Sequence, residues 1–305
     1  MTSTLLVAMH SCERAEQPRP SGQATASDTT TALPDSTSVD SDMDWRIENG
    51  PVLAVSGDSA GIAILVLPAL DTPRTSMSDV DSLRDLEVDL FSPRGRVGSG
   101  RLRPRNSRPA ENEQCAEWPT AQVVQGTNAR TTKWSVGFAS GSATALAMDS
   151  LAGLQRADSA RLAAEIAKLA SAMPGDTAPM FRGLPFRVHS AYRVRPTPGI
   201  MVVVATIVRT INQEANARTE HLLLIAEQDL NVPESRLALK YFERVSGPEE
   251  STETVDILAS LLLGADRRPT IVLGRSDESG TAFALLERAT SGKWTLQWSS
   301  PYTDC

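Results

Sequence analysis

From Asp44 onward the chain is divided into short runs of β-branched and apolar residues, each closed by Gly, Pro, Asn or Asp. Side chains of this shape fit a pleated, half-buried surface, and the residues between the runs supply turns. The pattern predicts strands at 51–55, 61–67, 86–91, 96–103, 121–125 and 133–138, and again at 186–194, 200–210, 220–227, 237–245, 255–263, 270–275, 281–288 and 294–298. One segment interrupts it. Between Asp158 and Met173 the apolar residues Leu162, Ile166, Leu169 and Met173 recur at helical spacing, with Asp158 or Ser159 placed to cap the start and Pro174 unable to continue the end. Its narrow, Ala-rich stripe suits close packing on a sheet face. The expected fold class is therefore mainly β, with antiparallel meander sheets in a propeller-like or sandwich-like arrangement and one amphipathic helix near 158–173.

A chain of 305 residues that is 41% hydrophobic can bury a substantial core, as one large β domain or two smaller ones, and a sub-boundary near 150 falls just ahead of the helix. The first part of the chain has a different composition. Residues 13–43 are rich in Ser, Thr, Asp and Pro with almost no large apolar side chains, too few to offset the entropy of ordering them, and read as a disordered linker. The expected division is a signal-like segment at 1–12, the linker at 13–43 and a β-rich body at 44–305.

A formal charge of −7 argues against a nucleic-acid partner, which requires a surplus of Lys and Arg facing phosphate. Arg94, Arg96, Arg101, Arg103, Arg105 and Arg108 form one basic cluster. Such a cluster could meet an anionic surface, but a solvated edge strand and its loop is the favoured explanation, because the chain uses 26 Arg and only four Lys throughout. The glycines at 95, 98 and 100 lack the Lys-Ser/Thr ending of a phosphate loop and read as a hairpin turn.

The apolar run Leu5-Leu6-Val7-Ala8-Met9 leads through His10-Ser11 to Cys12, where the composition changes abruptly. This resembles the end of a bacterial lipoprotein signal, in which a small residue precedes a cysteine that becomes the acylated N-terminus. The resemblance implies acylation of Cys12, a location on the periplasmic or extracellular face of the cell envelope, and secretion if the cysteine is not acylated. No later segment approaches the ~20 apolar residues of a membrane span, so the membrane would be a partner through the lipid alone. With Cys12 so assigned, Cys115 and Cys305 remain as one disulfide pair in an oxidising compartment, or as two free thiols in a reducing one.

Two units in the C-terminal part resemble each other. His221-Leu222-Leu223-Leu224 corresponds to Thr270-Ile271-Val272-Leu273 at an offset of 49, and Phe242–Gly247 to Leu286–Gly292 at an offset of 44. The run Gly264-Ala265-Asp266-Arg267-Arg268-Pro269-Thr270-Ile271-Val272-Leu273, with Gly280-Thr281-Ala282-Phe283 and Lys293-Trp294 after it, resembles β repeats of the FG-GAP or VCBS type. That resemblance implies an acidic calcium loop before the strand, and of its carboxylates only Asp266 is present. In the earlier unit Asn212, Glu214, Asn216 and Glu220 follow an alternating spacing of oxygen ligands suited to calcium, although a polar hairpin loop explains the same residues and Ala217 stands where Gly would permit the turn. No other cofactor is expected.

Evidence for catalysis is sparse. The three histidines, His10, His189 and His221, show no metal spacing, and His189 and His221 lie within predicted strands. Carboxylates brought together from separate strands would be visible only in three dimensions. Trp294, Trp298 and Tyr302 could form a carbohydrate or peptide platform if exposed, but aromatic residues at this spacing in a last strand are expected in the core. The favoured function is a non-catalytic binding or scaffolding module of the envelope with a protein or polysaccharide partner. The alternatives are an envelope hydrolase using carboxylates from separate strands and a calcium-stabilised β repeat.

If Cys115 and Cys305 are bridged, the bond closes a loop of about 190 residues and is expected to add several kcal/mol. Reduction should then lower the melting temperature, whereas an unchanged value with both thiols titratable beforehand would rule the bridge out.

Overall fold

The computed structural model describes residues 44–57, 61–68, 80–105, 118–125, 133–173, 178–212 and 216–303. The fold is mainly β and antiparallel, as the run pattern predicts, with strands β1 (Leu53–Ser56), β2 (Ile62–Val66), β3 (Glu87–Ser92), β4 (Gly95–Pro104), β5 (Thr120–Gln125), β6 (Val136–Ala139), β7 (Ala143–Ala145) and β8 (Asp149–Ser150) preceding the helix α1 (Arg156–Ser171). Strands β9 (Arg187–Thr197), β10 (Ile200–Ile211), β11 (Arg218–Asp229), β12 (Ala238–Pro248), β13 (Thr254–Leu263), β14 (Arg268–Asp277), β15 (Gly280–Arg288) and β16 (Trp294–Ser299) follow it.

The first six strands close into a barrel in the order β1-β2-β5-β4-β3-β6. Closure comes from β6, which pairs with β3 on one side and with β1 on the other. It removes both sheet edges. The arginine-bearing strand β4 therefore lies between β3 and β5, not at an edge as expected from the sequence. Its guanidinium groups face acids of the neighbouring turn and strand: Arg96 with Asp89 at 2.5 Å, Arg101 with Glu87 at 2.8 Å and Arg103 with Asp85 at 3.6 Å. Three arginines of the basic cluster are thus paired with acids of the barrel, and Arg108 lies outside the described residues.

The other strands form two five-stranded meanders. The inner sheet has the order β16-β15-β14-β13-β7 and the outer sheet β12-β11-β10-β9-β8. One face of the inner sheet, with Leu261, Val272, Phe283, Leu285 and Trp298, shares a core with the barrel residues Leu53, Leu65, Leu90, Phe91 and Phe138. Its other face, with Ile257, Ile271, Leu273, Ala284 and Leu286, packs on Val202, Val204, Leu223 and Ile225 of the outer sheet. The far face of the outer sheet is covered by α1 through Leu162, Ile166 and Ala170. The order of layers is barrel, inner sheet, outer sheet, helix. Strands buried on both faces are apolar at every position, which is why 202–205 and 283–286 read as continuous apolar runs. Both sheets were expected as meanders, but the barrel was not. The helix starts earlier than expected, with Gln155 at its N-cap and no side-chain cap, so neither Asp158 nor Ser159 has the capping role the sequence suggests.

Residues 143–150 carry the chain from the barrel into both sheets: β7 joins the inner sheet beside β13, β8 joins the outer sheet beside β9, and Met148 between them is buried in the inter-sheet core. The body begins at Trp45, whose ring stacks on Phe138 of the barrel and meets Trp298 of the inner sheet edge-on at 4.8 Å. Arg46 adds a hydrogen-bonded ion pair to Glu287 at 2.6 Å, and Glu287 also accepts from Arg268. After β16 the tail continues antiparallel along the start of β15, where Thr303 bonds Thr281 in both directions. Its carbonyl would lie 2.0 Å from a Cβ at Gly280, so only glycine, here at φ +141°, fits that position.

On the outer face of the outer sheet, Arg209 of β10 and Glu220 of β11 are directly opposed and buried, with Nε donating to Oε2 at 2.6 Å. Arg209 also donates to the carbonyl of Phe181 at 2.8 Å and lies over the rings of Phe181 and Phe186, fixing the segment that returns from α1 to β9. Replacing Arg209 with Met should cost about 3–5 kcal/mol, because it strands a fully buried carboxylate, and replacing Glu220 with Leu in the same chain should recover most of that loss. Denaturant unfolding of the single and double variants measures both effects.

Candidate functional site

Polar groups between the two sheets gather at opposite ends of their shared core. At one end Glu227 of β11 receives Nε of Arg288 at 2.6 Å, Nη2 of Arg288 at 3.0 Å and the indole Nε1 of Trp294 at 2.7 Å. The fork geometry matches a guanidinium to a carboxylate, and the indole adds a third hydrogen bond to the same group. Burial alone would raise the Glu227 carboxyl, but the hydrogen bonds from Arg288 and Trp294 outweigh it and hold the group below the usual carboxylate range. This end ties the outer sheet to β15 and β16.

The other end is the candidate site. Arg275 of β14 reaches across to β12 and to the connection that precedes β13, with Nη2 donating to both oxygens of Glu243 at 2.7 Å and Nη1 donating to Glu253 at 3.1 Å. The Tyr241 hydroxyl donates to Glu243, and the Tyr302 hydroxyl donates to Glu253. Burial pushes both phenols well above the ordinary tyrosine range, and the adjacent carboxylates add to the shift. Burial works against the Arg275 cation, yet Glu243 and Glu253 more than compensate and its pKa is raised. Beside this cluster a cleft opens between the sheets, lined by Thr206, His221, Leu223, Glu243, Val245, Glu253 and Val255. It has room for about one water molecule. His221 is half-buried there, and burial, reinforced by His189 and opposed by Glu249, lowers it from the ordinary histidine range.

These are two carboxylates in one cleft, one from strand β12 and one from the connection ahead of β13, an arrangement close to what a carboxylate hydrolase would need. Their surroundings point elsewhere. All four oxygens of Glu243 and Glu253 already accept a hydrogen bond from Arg275, Tyr241 or Tyr302. A general acid or base must face a substrate with a free lone pair or proton, and the cleft beside them is far smaller than the several hundred cubic ångströms of a typical ligand pocket.

The residues singled out in the sequence are dispersed. Asn212 and Asn216 are exposed at either side of the β10–β11 connection, Glu220 is buried on β11 against Arg209, and Glu214 lies outside the described residues. Among the described residues no group of three or more His, Cys, Asp or Glu side chains could hold a metal ion. Cys12, Cys115 and Cys305 also lie outside the described residues. The segments matched at offsets of 49 and 44 are β11–β12 of the outer sheet and β14–β15 of the inner sheet. Trp294 and Trp298 are buried at 2% and 4% exposure, in the core and not on a platform. The Arg275 cluster itself was not foreseen, since its five members span residues 241–302 with no common spacing. Comparison with family models, with curated proteins and with solved structures finds no match for this chain.

The Glu227–Arg288 pair makes a prediction for acid. A carboxyl held below its unfolded value contributes its full stabilisation above the ordinary carboxylate range and loses it as the pH falls through the depressed value. Wild-type protein should therefore lose more stability on acidification than Glu227→Gln, and parallel slopes in urea unfolding at a series of pH values would refute the assignment.

Proposed function

We propose that this chain is an exported protein of the bacterial cell envelope, anchored by lipid at Cys12 and carrying a non-catalytic body that binds or scaffolds a protein or polysaccharide partner. The observation that carries the non-catalytic part is the occupancy of Glu243 and Glu253: the two carboxylates that share the inter-sheet cleft are both engaged by Arg275 and by tyrosine hydroxyls. Groups used in this way fasten one layer to the next. The stack of barrel, two sheets and helix, cross-tied by ion pairs at both ends of the inter-sheet core, is suited to present a surface without changing shape.

Anchoring draws its support from the sequence. The apolar run before Cys12 and the Ser/Thr/Asp-rich stretch after it have the composition of an export signal followed by a spacer, and the body begins at Trp45 with a set of contacts that would hold it at the end of such a spacer. The hydrolase reading keeps one supporting feature, the placement of Glu243 on β12 and Glu253 just ahead of β13 around one cleft.

The intact mass of protein isolated from its native host, together with fatty-acid labelling of wild type and Cys12→Ser, tests the proposal. The expected species begins at an acylated Cys12, and the substitution abolishes labelling. An unprocessed chain with three free thiols, or label that persists in Cys12→Ser, would overturn it.

A further inference from the structure

We propose that β12 is a self-pairing edge, through which two copies of this chain join their outer sheets antiparallel across a two-fold axis at Val245. The inference depends on neither export nor the anchor.

β12 ends the outer sheet, and among the described residues no strand pairs with its open side. It is 11 residues long, and the N–H and C=O groups along such an edge are a template for another strand. The Glu249 N–H donates to the Ala217 carbonyl at 3.0 Å, in register with the β11–β12 ladder. Backbone groups alternate in direction along an antiparallel strand, so Tyr241, Glu243 and Val245 bond to β11, while Phe242 and Ser246 turn theirs to the open side. Features that discourage pairing stand only at the ends: Lys240 is the extra residue of a bulge against β11, and Pro248 has no N–H. Between them Phe242 and Val245 are exposed, at 37% and 38%. Glu243, the acid of that stretch, is drawn to Arg275 and Tyr241.

The occupant is a second copy because the edge complements itself. Its start carries the exposed bases Arg236 and Lys240, and its end runs into the exposed acids Glu249 and Glu250. An antiparallel copy brings each basic end to the other's acidic end, whereas a parallel copy would bring like charges together. With the axis at Val245, the two Val245 side chains face each other, Phe242 lies opposite the copy's Pro248, and Lys240 reaches the copy's Glu249 and Glu250. This register sets even-numbered residues opposite even-numbered ones, so the outward-facing N–H and C=O groups of the two strands meet. Every contact away from the axis occurs twice, as an isologous interface requires. Val245 also lines the inter-sheet cleft with Leu223 and Val255, and the copy's Val245 continues that apolar lining.

Sedimentation equilibrium of the full-length protein from about 5 to about 500 μM tests the pairing, since association follows mass action. The wild-type mass should rise with concentration from the 32.7 kDa of one chain toward twice that value. Val245→Lys and Val245→Glu each set like charges against each other on the axis, and each alone should stay at the mass of one chain. An equimolar mixture of the two should recover the dimer, because lysine then faces glutamate. Ser246→Pro removes an outward-facing N–H and leaves the ladder to β11 intact, so it should weaken association at least tenfold, and it carries the comparison if the charged variants do not fold by circular dichroism. A wild type that stays at one chain throughout, a dimer that persists in these variants, or a mixture of folded charged variants that remains monomeric would each overturn the proposal.

Discussion

An inner sheet that is apolar on both faces has to be covered twice, and the organisation of the molecule follows from that requirement. The barrel covers one face through Phe91, Phe138 and Leu90, and the outer sheet covers the other through Val202, Val204, Leu223 and Ile225. The outer sheet is then itself apolar on its far side and requires α1. Each layer supplies the apolar surface that the next one removes from water, at roughly 25 cal/mol per Å² of area buried. No layer could be omitted without exposing continuous apolar runs such as those of β10 and β15.

The same requirement decides where charge can go. The middle of each interface is closed to charged groups, so ion pairs collect at the ends of strands: Glu227 with Arg288 at one end of the inter-sheet core, and Arg275 with Glu243 and Glu253 at the other. Glu287 plays a similar part where the first residues of the body meet the inner sheet. Placed there, a guanidinium spans two layers, and the pair acts as a cross-tie. That use of the carboxylates bears on function, because every oxygen of Glu243 and Glu253 already accepts a hydrogen bond that ties layers together.

Much of the fold was legible in the sequence because burial leaves a local record. A strand covered on both faces is apolar at consecutive positions, a half-covered one alternates, and α1 carries a period of three to four. Strands β9 to β16 were legible for this reason. Strands β7 and β8 were not, since two or three residues hold no period and their pairing depends on Leu261–Leu263 and on Tyr192–Arg193, more than 40 residues away. The register shift in β16 is a further case. It sets Leu296 opposite Leu286 and Trp298 opposite Leu285, and this places Trp294 in the inter-sheet core and Trp298 against the barrel although the two residues have the same parity. The candidate site was illegible for the same reason as β7 and β8, as its residues come from β12, β14, a connection and the tail.

The sequence by itself determined the strand runs, the helix near 158–173 and the change in composition at the start of the body, because each of these is set by residues adjacent in the chain. Only the tertiary structure decided that the first six strands close on themselves, that the two meanders face each other, and that Arg275 joins two carboxylates across them. Those outcomes depend on which apolar faces meet, and partners far apart in the chain leave no pattern within any one segment.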